Sequence, residues 1–172
     1  MTKAWSGIVA AMALLGLSAV SPAQETQPIG LSIRAGGFFP STSDARDESD
    51  VWFTAGIEYK LKDLYFDEAE GYTSHLSLSL DWYESGDYRG LPLLVNYVGT
   101  KNQFFYSVGA GVSFAKWVNG VGSTDEDTIF GYSVALGYQF QQGQTPVFVE
   151  ARYFGAEKSD LNGLAFSVGL RL

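Results

Sequence analysis

From Leu164 to Leu172 the chain alternates large apolar residues with small or polar ones. Leu164, Phe166, Val168, Leu170 and Leu172 fall on one face, and Ala165, Ser167, Gly169 and Arg171 on the other. A strand turns successive side chains to opposite faces, so these are the two sides of one sheet. A soluble barrel packs its large aliphatics inside and carries Lys, Glu and Thr outside. Here the pattern predicts the reverse, with apolar side chains outside in lipid and small polar ones inside.

Seven earlier segments repeat the alternation. The first, Ile29 to Phe39, sets Leu31, Ile33 and Ala35 against Ser32, Arg34 and Gly36. The second, Val51 to Leu61, sets Phe53, Ala55, Ile57 and Tyr59 against Thr54, Gly56, Glu58 and Lys60. In the third, Leu76, Leu78, Leu80 and Trp82 alternate with His75, Ser77, Ser79 and Asp81. The fourth, around Leu91 to Val98, is apolar on both faces, and its register stays open. The fifth and sixth carry Val108 and Val112, then Val134 and Leu136, on their apolar faces. Aromatic residues flank those aliphatics: Phe104, Tyr106 and Phe114 in one strand, Phe130, Tyr132, Tyr138 and Phe140 in the other. Two lipid–water interfaces select such girdles. The seventh opposes Val147, Val149, Ala151 and Tyr153 to Phe148, Glu150, Arg152 and Phe154.

Eight strands predict an all-β, antiparallel, up-and-down transmembrane β-barrel, closed because lipid offers no partner to an open sheet edge. The connections after the odd strands, such as Pro40 to Asp50 and Lys116 to Asp127, are polar and are expected outside the cell. Lys62 to Thr73 is long for an inner turn, and the alternation gives no account of it.

The N-terminus adds an address. Lys3, the apolar run Ile8 to Val20 and the small residues Ser21-Pro22-Ala23 form a secretory signal peptide over 1–23, leaving 24–172 as one barrel domain. The apolar run is too short for a spanning helix. There is no cysteine, which excludes disulfides and thiolate metal sites. A net charge of −8 argues against nucleic acid as a partner.

The chain resembles the small outer-membrane β-barrels of the OmpA-type and OmpX-type superfamily. The resemblance lies in the pattern of the whole mature chain, and most in 105–114, in Phe148-Val149-Glu150-Ala151-Arg152-Tyr153 and in the closing 166–172. It implies a place in the bacterial outer membrane, among lipid and lipopolysaccharide. It also implies that the C-terminal strand is read by the barrel-assembly machinery. Leu172 departs from the family's usual final aromatic residue. The fold hosts many activities, so the resemblance fixes location better than role.

Candidate chemistry lies mostly inside. Arg34, Glu58, Lys60, Asp81, Glu150, Arg152 and Arg171 fall on inward faces. Eight strands leave a lumen that side chains fill, and charges confined there must pair. A salt-bridged plug is expected, with Glu150 partnering Arg171; a narrow, porin-like pore is the alternative use of the same residues. The lipid-facing set is Val108, Val112, Val134, Leu136, Phe166, Val168 and Leu170.

His75 and Ser77 resemble in spacing the site of lipid A deacylases, but their strand parity turns them inward, away from a lipid substrate. Acidic loop residues such as Asp125, Glu126 and Asp127 match no calcium-loop spacing, and no phosphate-binding glycine loop is present, so no metal or cofactor is expected. The expected role is structural or surface-interacting, not enzymatic, with specificity in the outer loops and the ligand left open. The alternatives are a lipid-modifying enzyme and a soluble lipocalin-like carrier; the carrier would put glycine-rich faces such as Gly109 and Gly111 in water.

Overall fold

A computed structural model describes residues 30–67, 71–118, 122–140 and 145–172. The signal peptide read over 1–23 and the first residue of the first expected strand, Ile29, lie outside them. The strands are β1 (Leu31–Pro40), β2 (Trp52–Asp67), β3 (Tyr72–Ser85), β4 (Tyr88–Lys101), β5 (Phe104–Val118), β6 (Thr124–Gln139), β7 (Val147–Ala156) and β8 (Gly163–Arg171). A short helix α1 (Ser43–Glu48) follows β1, and a 3-10 turn (Ser159–Leu161) precedes β8. Each strand pairs antiparallel with its sequence neighbour, and β1 pairs with β8 to close the barrel. The seam runs from Ser32 opposite Arg171 to Pro40 opposite Gly163.

Side chains alternate across the wall as the hydrophobic pattern requires. Leu136 is 67% exposed on the outer face, while Ala135, one residue away, is 1% exposed inside. Val108, Val112, Val134, Phe166 and Val168 are likewise exposed on the outside, and Leu170 is half-exposed at the end of β8. The open register of the fourth strand resolves with Leu91, Leu93, Val95 and Tyr97 outward and Pro92, Leu94, Asn96 and Val98 buried inside.

The strands run past the bounds that the alternation marks. The segment 62–73 is mostly ladder: β2 continues to Asp67 and β3 begins at Tyr72. Two register shifts, at Lys60/Lys62 and Asp63/Tyr65, interrupt the pairing there. An extra residue at a bulge breaks the two-residue period without ending the strand, which hides this hairpin from a period-two pattern. At the opposite end, β5 runs on to Val118 and β6 begins at Thr124, both inside the connection expected from Lys116 to Asp127, and β3 and β4 join through Gly86-Asp87.

Glycines on the inner face sit beneath large rings. A Cβ on Gly137 would lie 2.0 Å from Phe105 Cζ, and one on Gly169 would lie 2.2 Å from Phe148 Cζ. The small faces of β6 and β8 are therefore the space into which aromatic side chains of neighbouring strands fold.

Candidate functional site

The inner faces of β1, β2, β3 and β7 bring five charged side chains to one level of the lumen. The Arg34 guanidinium donates to both oxygens of Asp81, from Nε at 2.9 Å and from Nη2 at 2.8 Å, and from Nη1 to Glu58 Oε2 at 2.9 Å. Arg152 donates in the same forked way to Glu150, from Nε at 2.8 Å and from Nη2 at 3.0 Å. Its Nη2 also reaches Glu58 Oε2 at 3.3 Å. Glu58 thus joins the two pairs, and its second oxygen accepts from Ser77 Oγ at 2.8 Å. Paired guanidinium forks and shared acceptors are what an ion needs once water is excluded.

The other two expected members lie apart. Lys60 is at the mouth, where its ammonium lies 3.2 Å from Asp63 and is largely in water. The Arg171 guanidinium lies over the rings of Phe105 and Phe148, with centroid distances of 4.8 and 5.6 Å, a cation–π arrangement. The expected Glu150–Arg171 pair is replaced by Glu150–Arg152. The register explains the change: Glu150 lies opposite Ser167, four residues up β8 from Arg171, or about 13 Å along the strand. Arg152 shares a face with Glu150 two residues away.

Two apolar layers bracket the ionic one. At the terminal end, Phe105 meets Phe148 edge-on at 5.6 Å. At the loop end Phe38 stacks on Tyr83 at 4.2 Å, with Trp52 and Phe154 around them. The connections fold over this cluster. Ala45 of α1 and Leu161 of the 3-10 turn are both fully buried in it, and the Tyr83 hydroxyl donates to the Leu161 carbonyl at 3.0 Å. Between the ionic layer and Arg171 there is a cavity of about 10 Å³, room for one water at most.

Sequence reasoning missed the cap. Parity alone turns Tyr83 inward once Trp82 faces out, and Leu161 is a large apolar residue in an otherwise polar connection. Those were the available signals. His75 is only half-buried, while Ser77 donates to Glu58 and Ser79 accepts from Asn96.

A closed antiparallel ring with apolar side chains outside and forked ion pairs inside defines the class: the protein is an eight-stranded up-and-down β-barrel with an apolar outer face. Among solved structures it is similar to the Yersinia pestis outer membrane protein Ail in a phospholipid bilayer nanodisc, at 14% identity over 83% of this chain and 98% of that one, with a TM-score of 0.44. It is also similar to the outer membrane enzyme PagL, at 12% identity over 82% of this chain and 98% of that one, with a TM-score of 0.42. No protein-family model matches the chain. No curated protein matches it either.

Proposed function

We propose that the protein resides in the bacterial outer membrane as a closed, non-enzymatic barrel with a structural or surface-interaction role. The observation that carries this reading is the filling of the lumen at three levels. The Phe105–Phe148 contact, the Arg34–Glu58–Asp81–Glu150–Arg152 network and the Phe38–Tyr83 cap place buried side chains across the lumen at three heights, which supports a closed interior. A barrel so filled offers partners its outside only. The end carrying both termini is periplasmic on this reading, as in barrels whose longer loops face outward. The elaborated end, with α1, the β5–β6 hairpin and the 3-10 turn, is then extracellular. That surface is held together by Arg89–Glu126 and Lys116–Asp87 ion pairs, each 3.2 Å long, and it is where a ligand would be met. Lipid and lipopolysaccharide surround the band outside, and β8 is the strand offered to the assembly machinery.

Membrane fractionation followed by a gel run with and without heating tests the placement. The expected result is recovery with the outer membrane and a different mobility before heating. Recovery from the soluble periplasm without detergent would reject it.

A further inference from the structure

The outer wall is not uniformly covered by large side chains. Near the terminal end a groove of about 720 Å³ crosses β6, β7, β8 and β1, a volume within the range of small-molecule sites. Its floor arises where two small residues interrupt the apolar band. Ala151 lies in register between Leu136 and Phe166, which stand 67% and 53% exposed on either side of it. One row nearer the turn, Ala35 lies beside Val168. Glu150 and Ser167 reach the lining from the buried inner face, and on the outer face the lining carries one charged side chain. Lys101, at the end of β4, closes the groove beside Phe104, its partner in the ladder. Lys101 is exposed and, unlike Lys60 and Lys116, makes no ion pair among the described residues.

The ground next to Lys101 is polar in an unusual way for a lipid-facing wall. Tyr72 is its ladder partner on the other side. The Tyr72 hydroxyl lies 2.8 Å from that of Tyr97 and 2.9 Å from that of Tyr106. An apolar trough that ends at an unpaired ammonium and a knot of phenol hydroxyls has the two-part chemistry of a phospholipid.

We propose that the groove holds an acyl chain of one glycerophospholipid, with its phosphate on the Lys101 ammonium. The single cation suits one phosphodiester; a glycolipid carrying several phosphates would need several cations. The proposal rests on the outer-membrane placement above, which puts this end of the barrel at the inner leaflet.

Native mass spectrometry of the protein released from nanodiscs provides the test, with phosphatidylglycerol, diacylglycerol and lipid A as separate arms. The intact protein should retain one phosphatidylglycerol. Ala151→Phe, which fills the floor, should remove it. Lys101→Gln should lower retention of phosphatidylglycerol about fivefold, the effect of one surface ion pair, and leave diacylglycerol unchanged. Lys116→Gln, at the far end, should change neither. Equal retention by the intact protein and both groove variants, or stronger retention of lipid A, overturns the proposal. If Ala151→Phe does not fold, Lys101→Gln decides alone. A protein that never enters the nanodisc rejects the membrane placement itself, whereas an inserted barrel with variant-independent retention rejects only the groove.

Discussion

Glu58 is the residue on which the lumen chemistry converges. Its Oε2 accepts from both arginines and its Oε1 accepts from Ser77. Removing it takes one acceptor from each arginine but leaves each its own forked carboxylate. Glu58→Ala should destabilise the barrel by about 1.5–3 kcal/mol, the range for a lost hydrogen bond to a charged group. Urea unfolding in lipid vesicles, followed by tryptophan emission, measures it. Glu58→Ala combined with Arg152→Ala should lose less than the sum of the two single changes. Strict additivity would mean that the 3.3 Å contact does not couple them. The glycines under rings are equally exacting. Gly137→Val places carbon where Phe105 already lies, and overpacking of this kind costs about 1–3 kcal/mol. Val at position 122, where nothing lies within 4 Å of a Cβ, has no such clash, but its φ of +76 makes it a poor control. Ser133→Ala, which loses only a 3.4 Å bond from Arg152, is the better one.

At the scale of the element, β6 shows what the pattern could and could not say. Its outer face alternates without interruption from Phe130 to Leu136, so the side each residue faces followed from the sequence alone. Leu136→Arg should cost about 2–4 kcal/mol in lipid if position 136 lies near the bilayer midplane, against about 0–1 near an interface. A lipid-soluble quencher should reach a fluorophore at 136 and miss one at 135. The reverse result would turn the barrel inside out. The β2–β3 hairpin was not legible, because two bulges shift the period and polar residues continue the ladder. Which inward charges meet was also hidden. A face can be read from parity, but a level depends on register between strands, and this is why Arg171 was matched with Glu150. The cap escaped for a third reason: Ala45 and Leu161 belong to connections, where no period signals burial.

For the whole molecule, the three layers predict electrical silence. Purified protein in a planar bilayer should show no steady conductance, since the cavity between the ionic layer and Arg171 holds one water at most. Steady channels from the intact protein would overturn the closed-lumen reading. Leu161→Asp should disturb the loop-end cap alone, raising protease sensitivity of the loops while the heat-dependent gel shift persists. Loss of that shift would mean that the cap supports the ring as well as covering it.

The seam between β1 and β8 bears on timing. Every other strand pair joins neighbours in sequence, but Ser32 must wait for Arg171, and the Leu172 amide closes on the Leu31 carbonyl at 2.7 Å. Until β8 is in place, the assembling sheet has two raw edges, one on β1 and one on β7, each able to recruit a foreign strand. Pairing across so long a stretch of chain is also the slowest kind of contact to form. Assembly therefore passes through an adhesive interval that ends only when β8 docks on β1, and a chain truncated before Gly163 would never leave it.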